Sequence, residues 1–154
     1  MSFRISGLPA QPFTSLFALT DAQLAARDIV RMVADRNPGF PCRVSLADAE
    51  PGERVLLLNY EHLAVASPYR SRHAIFVREN AREAQLEAGE IPQALRRRLI
   101  SLRAFDERGM MLDCDVLPGS ELEAGIGRLL QGAAAYLHLH NAKPGCYAAR
   151  VDRA

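Results

Sequence analysis

The chain has 154 residues, of which 49% are hydrophobic and 24% are charged, as in an ordinary globular domain. This length predicts one domain over residues 1–154 with a hydrophobic core of its own. The formal net charge of +1 argues against a nucleic-acid-binding surface, and no apolar run approaches the roughly 20 residues of a membrane span.

The cysteines and the N-terminal residues predict the cellular compartment of the protein. Cys42, Cys114 and Cys146 form no C-x-x-C pair, so neither a disulfide framework nor a zinc ribbon is predicted. The first residues contain no apolar stretch typical of a secretory signal. We therefore expect a cytoplasmic protein with reduced thiols and no membrane partner.

The first half of the chain predicts strands around one short helix. Residues 3–8 read as a strand, and Thr20 with Gln23 forms a capping box that opens a helix at Asp21. Either this helix continues towards Asn37, or residues 29–34 form a β-branched strand after two turns; the strand is favoured.

A turn and three further strands are predicted next. The prolines and glycine of residues 37–41 predict a turn, followed by a short strand over residues 42–46. Residues 55–58 are apolar on both faces, which is typical of a central strand. Residues 73–78 predict another strand.

The second half opens with a short helix and a hairpin. Pro92 suits the first turn of a helix that ends near Arg98. Residues 100–104 and 112–116 alternate as two strands joined by a turn at residues 106–109, and Cys114 is predicted to face the core.

A second helix and two strands complete the chain. Ser120 and Glu123 predict a capping box for a helix that ends before Gly132, and strands follow at residues 136–141 and after Cys146. About seven strands and three short helices, without regular β-α-β alternation, predict an α+β fold. We expect a mostly antiparallel twisted sheet with the helices on one side.

Two histidines, His138 and His140, stand two residues apart in the predicted strand. Because side chains alternate along a strand, both imidazoles share a face with Tyr136, while Leu137 and Leu139 share the other. If the leucines meet the helices, the histidines face solvent or a second layer. The pair could bind a metal, exchange protons, hold an anion or simply hydrogen-bond on a polar surface, and no third ligand stands at a recognisable spacing.

Cys146 follows a Pro-Gly turn, with Asn141 predicted opposite Cys146 and His140 opposite Tyr147. This register turns the thiol away from the histidines, whereas a one-residue shift or a bulge at residues 144–145 would bring it to their side. The thiol is then either a nucleophile paired with a histidine, oriented by Asn141, or a small apolar filler at a turn.

A second thiol, Cys42, follows the rigid turn together with Arg43, as in a binding loop or simply at a well-formed corner. Arg70 precedes the predicted strand that begins at His73, Arg78 ends that strand, and Arg103 lies on the non-core side of another strand. These arginines either line an anion pocket or pair with acidic residues at the surface.

Our preferred interpretation is a small-molecule site for an anionic ligand on the sheet face that carries His138 and His140. Either imidazole would be the general base if a reaction occurs. The ligand-binding candidates are Arg70, Arg78, Arg103, Tyr136 and Asn141.

Two alternatives come from other classes of protein: a homodimeric interaction module without pocket chemistry, and a metal- or thiol-dependent enzyme. The enzyme would use the two histidines, His138 and His140, with Cys42 or Cys146. No nucleotide-binding, zincin or hydrolase motif occurs, so no cofactor is implied by a motif.

Several segments carry a resemblance to a known family: residues 38–46 (PGFPCRVSL), 48–53 (DAEPGE), 67–70 (SPYR), 75–79 (IFVRE), 136–141 (YLHLHN) and 145–150 (GCYAAR). With these segments the chain resembles an uncharacterised bacterial family of small single-domain proteins, domain-of-unknown-function family 1203. The resemblance covers nearly the whole chain and implies a bacterial, cytoplasmic, stand-alone domain. It implies no activity, so no catalytic residue is carried over.

Overall fold

Eight strands and four short α-helices make up the computed structural model, which describes residues 2–154. The strands are β1 (Phe3–Ser6), β2 (Val30–Val33), β3 (Arg54–Leu63), β4 (Ser71–Arg78), β5 (Leu99–Phe105), β6 (Met111–Pro118), β7 (Tyr136–Asn141) and β8 (Tyr147–Arg153). The helices are α1 (Gln11–Thr14), α2 (Asp21–Ala25), α3 (Gln93–Arg96) and α4 (Leu122–Leu130).

The strands form two antiparallel sheets and not the single sheet that the sequence suggested. One sheet has the order β1-β8-β7-β5-β6 and the other the order β2-β3-β4. All six strand pairs within these sheets run antiparallel, including β5 with β7 and β7 with β8. The predicted α+β class is therefore confirmed.

Helices α3 and α4 cover one face of the five-stranded sheet. Leu137 and Leu139 of β7 point to this face and pack with the apolar residues of α3 and α4. Both leucines are fully buried. The opposite face of β7 consequently points away from the helices, towards the three-stranded sheet.

A second core lies between the three-stranded sheet and the N-terminal helices. Leu56, Leu58 and Ile75 form it with Phe13 of α1 and Leu24 of α2. β3 is the central strand of its sheet, and the neighbouring residues Val55 and Leu56 are both fully buried, as the doubly apolar run 55–58 predicted.

Local signals near the N-terminus are confirmed. Thr20 accepts a hydrogen bond from the Gln23 amide, and the Gln23 side chain accepts one from the Thr20 amide, so the capping box begins α2. The chain then enters β2, which confirms the favoured alternative of a short helix followed by a strand. The turn before β6 contains Gly109 at φ 76°, a value that favours glycine.

Three local predictions are wrong. Residues 42–46 form no strand, because after isolated bridges at Pro41 and Cys42 the chain turns back on itself. Ser120 does not cap α4; a short 3₁₀ turn, Gly119–Glu121, precedes that helix instead. Cys114 is exposed and not in the core, because β6 is an edge strand and Cys114 lies on the face opposite the helices.

None of the helices over residues 2–154 has the length and the apolar composition that crossing a membrane requires.

Candidate functional site: a histidine cluster beside a basic pocket

All four histidines of the chain meet between the two sheets. His138 and His140 come from β7, His62 from β3 and His73 from β4. The Nδ1 atoms of His62 and His138 are 3.2 Å apart, and Nε2 of His62 lies 2.7 Å from Nδ1 of His73. The sequence predicted that the histidine face of β7 meets either solvent or a second layer. The structure shows a second layer, which is the three-stranded sheet.

A β-bulge brings His62 into this cluster. The pairing of β3 with β4 passes from Glu61 opposite Arg72 to Leu63 opposite Ser71, so His62 is the extra residue. A bulge turns its strand locally and aims a side chain that regular alternation would place elsewhere. The sequence carried no signal for this irregularity, and His62 was missed. His73 was noted only as a neighbour of arginines.

A second bulge places Tyr147 on the histidine face. β7 and β8 pair Leu139 with Ala149 and then His140 with Tyr147, which leaves Ala148 as the extra residue. The Tyr147 ring stacks on His62, with centroids 4.7 Å apart and planes at 13°. The aromatic contact closes one side of the cluster and removes water from the imidazoles.

Burial holds the imidazoles in their neutral form. His138 and His140 are 2% and 0% exposed, and burial lowers the pKa of His138 to about 3 and that of His140 to about 2. Burial, followed by the neighbouring His73, lowers the pKa of His62 to about 4. At neutral pH the cluster thus presents uncharged rings with free lone pairs.

Arg103 and Tyr136, two predicted ligand-binding residues, lie at this cluster. Arg103 stands opposite His138 in the β5–β7 pairing. Burial is the main cause that lowers the pKa of all four histidines, and the positive charge of Arg103 lowers it further. The ring of Tyr136 lies 5.3 Å from that of His138 and is covered by the guanidinium of Arg150 at 4.0 Å. Tyr136 is buried, so its ring helps to enclose the cluster.

Arg70 and Arg78 are held in ion pairs. Arg70 binds Glu61 at 2.5 Å at the surface, and Arg78 binds Glu53 at 2.7 Å. Arg78 also donates to the hydroxyl of Ser45. The structure therefore gives each of these two guanidiniums a carboxylate partner and does not bring them into the histidine cluster.

A pocket of about 570 Å³ opens beside the cluster. His73 lines it, whereas His138 and His140 do not. Four cationic side chains line it, and none of the carboxylates in the described part of the chain does. These cations are Arg43, Arg97, Arg98 and Lys143. Asp48 neutralises Arg98 through two hydrogen bonds of 2.6 and 2.9 Å.

Arg43 forms the floor of the pocket and carries a buried charge. It is 2% exposed and donates to the carbonyls of Tyr147, at 2.6 Å, and of Pro41. Its remaining terminal nitrogen donates to Cys146 Sγ at 2.9 Å. Burial lowers the pKa of Arg43, and the sulfur of Cys146 opposes that shift.

Cys146 lies in this pocket with Asn141, as the predicted register required. The Asn141 amide donates to the Cys146 carbonyl at 2.9 Å, and its side chain lies 3.7 Å from the sulfur. The thiol thus meets Arg43 and Asn141, and the bulge that exists in β8 lies at Ala148 and not at residues 144–145. Cys42 is buried in the second core, 3.3 Å from the amide of Arg78.

The arrangement around Cys146 predicts selective alkylation. A positive charge beside a cysteine is what activates the sulfur as a nucleophile, and a hydrogen bond from a charged donor is worth about 1.5–3 kcal/mol. We expect iodoacetamide at neutral pH to modify Cys146 roughly tenfold faster than the exposed Cys114. Peptide mapping by mass spectrometry measures both rates in one sample.

The buried Cys42 is the internal control for unfolding during alkylation and should stay unmodified. The Arg43→Met variant should slow the reaction of Cys146 towards the rate of Cys114. A faster reaction at Cys114 in the unsubstituted protein would contradict the expected activation.

The fold and site define a class: a small α+β domain with a buried histidine cluster between two sheets and a basic pocket next to it. The family model described as "Protein of unknown function (DUF1203)" matches residues 39–153, and the chain belongs to this family. The matched region contains all four histidines, Arg43 and Cys146. A search of curated proteins and a search of solved structures gave no match.

Proposed function

We propose that this protein binds a small anionic molecule in the basic pocket. The observation that carries the proposal is the charge of the lining: four cationic side chains and, among residues 2–154, a single carboxylate paired to one of them. Buried or confined guanidiniums bind carboxylates and phosphates strongly because several N–H groups donate to one anion. The pocket thus has about three positive charges to offer.

Asn141 and the apolar wall narrow the class of ligand. The Oδ1 atom of Asn141 is buried and has no hydrogen-bond partner within the described chain. A buried acceptor without a donor costs about 1–3 kcal/mol, which a hydroxyl or amine of the ligand would recover. Leu57, Phe76 and Leu99 line another side. The ligand we infer has an anionic head, a hydrogen-bond donor and a small apolar part.

A thermal-shift screen with anions tests this function. The screen would contain inorganic phosphate, sulfate, and small carboxylates and phosphate esters that carry a hydroxyl or amine. A ligand at about one hundred times its Kd stabilises the folded state by about 2.7 kcal/mol, so we expect Tm to rise with at least one member of the screen. The double variant Arg97→Glu/Lys143→Glu should lose that rise, because both side chains are exposed and the fold does not depend on them.

The matched control is Arg27→Glu/Arg108→Glu, which changes the net charge equally at exposed positions outside the pocket. It should keep the full shift. An unchanged shift in the pocket variant, or no stabilisation by any anion, would refute the proposed function.

We also propose that the protein is cytoplasmic, which its three free cysteines support, and that it binds no nucleic acid, which the net charge of +1 supports. A bacterial origin is proposed from the family resemblance alone. A homodimer is the second candidate, because the edge strand β6 exposes Leu112 and Val116 by 47% and 52%. Light scattering on the same protein samples tests the homodimer. A protein that stays monomeric at all concentrations would refute it.

Thiol chemistry at Cys146 would operate in the same pocket that binds the anion.

A further inference from the structure

We propose that a divalent transition-metal ion, with Zn²⁺ the best fit, binds between the two sheets on the imidazoles of His62, His138 and His140. One ring nitrogen from each residue lies within 4.8 Å of the other two. Three histidines with a fourth position for water or an anion form a known zinc arrangement. This site is separate from the anion pocket, and its metal binding can be tested without any anionic ligand.

The distances already resemble those of a coordination shell. A tetrahedral zinc ion with Zn–N bonds of about 2.0–2.1 Å holds its ligand nitrogens about 3.3 Å from one another. The Nδ1 atoms of His62 and His138 are 3.2 Å apart. Two of the three ligands thus stand at tetrahedral spacing without rearrangement, and the third must approach by a side-chain shift.

His140 offers a lone pair that nothing else uses. Its Nδ1 lies 3.0 Å from the carbonyl oxygen of Gly145, so Nδ1 carries the proton and donates it. Nε2 is consequently an unprotonated acceptor, and it is buried without a partner among residues 2–154. A metal ligand whose second nitrogen donates to a backbone carbonyl is the usual arrangement at zinc.

His73 supplies the same outer support to His62. Its Nδ1 is 2.7 Å from Nε2 of His62, which leaves Nδ1 of His62 for the ion. In the metal-free protein, Nδ1 of His62 and Nδ1 of His138 share one hydrogen, since one must donate and the other accept. Metal binding would replace this hydrogen bond, with the protons held on the other ring nitrogens.

The chemistry of the donors selects the kind of ion. Imidazole nitrogen suits zinc, copper, iron and nickel, whereas magnesium and calcium require oxygen ligands. The rings of His138 and His140 are buried, and an apolar environment favours the neutral imidazole that binds a metal. Arg103 faces the cluster as a second positive charge, so the fourth position of the ion favours an anionic ligand such as hydroxide.

Co²⁺ and Zn²⁺ binding to the metal-free, untagged full chain tests the proposal. We expect one ion per chain in native mass spectra, and visible absorption bands of tetrahedral Co²⁺ that zinc removes. His62→Phe should abolish binding while keeping the aromatic stack on Tyr147. His73→Phe, which removes only the outer support, should weaken binding roughly tenfold to a hundredfold.

Cys146→Ser is the matched control, because it removes the thiol that lines the pocket and leaves the imidazoles in place. It should bind cobalt as the unsubstituted protein does. Circular dichroism of metal-free His62→Phe verifies that this variant folds. Absence of cobalt and zinc binding to the unsubstituted protein would overturn the proposal, and this outcome does not depend on any variant. Retained binding in folded His62→Phe would overturn it as well.

Discussion

The metal-free protein is expected to lose stability steeply as the pH falls below the ordinary pKa of histidine. In the unfolded chain His138 and His140 take up protons near pH 6.5, whereas in the folded protein their pKa values lie at about 3 and about 2. Below about pH 6.5 the unfolded state therefore binds more protons, and stability falls with falling pH. Above that pH both states are neutral at these rings and the stability is retained.

The effect is large because two rings act together. Each contributes up to about 1.4 kcal/mol per pH unit, so the pair removes about 3 kcal/mol between about pH 6.5 and pH 5. His62, whose pKa burial lowers to about 4, adds to this loss. That is a large share of the 5–15 kcal/mol that stabilises a typical domain. Urea unfolding in the presence of a chelator, repeated across this pH range, measures the slope.

The His138→Phe variant distinguishes the contribution of the histidines to the pH dependence of stability from that of the carboxylates. The Glu53 and Glu61 carboxyls, whose pKa values are lowered by hydrogen bonds from Arg78 and Arg70, lose their contribution only at lower pH. Replacing His138 by an aromatic ring should reduce the slope by about 1.4 kcal/mol per pH unit. A free energy of unfolding that stays constant from about pH 7 to pH 5 would contradict the buried neutral cluster.

Loss of the Arg43 guanidinium should destabilise the fold by about 3 kcal/mol, because the buried carbonyl of Tyr147 and the half-buried carbonyl of Pro41 lose their donor. The Arg43→Met substitution keeps the length of the side chain but leaves the carbonyls of Tyr147 and Pro41 unpaired. Arg43 ties the turn after residue 41 to the first residue of β8, so its loss should also loosen the pocket floor. The midpoint and slope of urea unfolding measure the change.

Arg97→Met is the matched control. It removes the same charge from the same pocket, but Arg97 is exposed and donates to the Asn37 side chain at 3.3 Å. Its unfolding free energy should change by less than about 0.5 kcal/mol. Equal destabilisation by the two substitutions would show that charge, and not the buried hydrogen bonds, determines the effect.

The sequence predicted much of the local structure because those signals are local. The Thr20–Gln23 box, the hairpin around Gly109 and the leucine–histidine alternation of β7 depend on residues within a few positions of one another. The burial of Cys114 was mispredicted for the opposite reason. An alternating strand shows that it has two faces, but whether a layer covers each of them depends on distant chain segments.

The candidate site likewise combines features that the local sequence predicts with features that depend on distant segments. By itself the sequence determined that His138 and His140 share a face and that Asn141 stands opposite Cys146. Only the tertiary structure decided that β3 and β4 form a second sheet, that a bulge turns His62 inward, and that Arg97, Lys143 and Cys146 share a pocket. Hydrogen bonds between distant strands fix these contacts, and the free energy of such pairing depends on the whole packed chain and not on any local pattern.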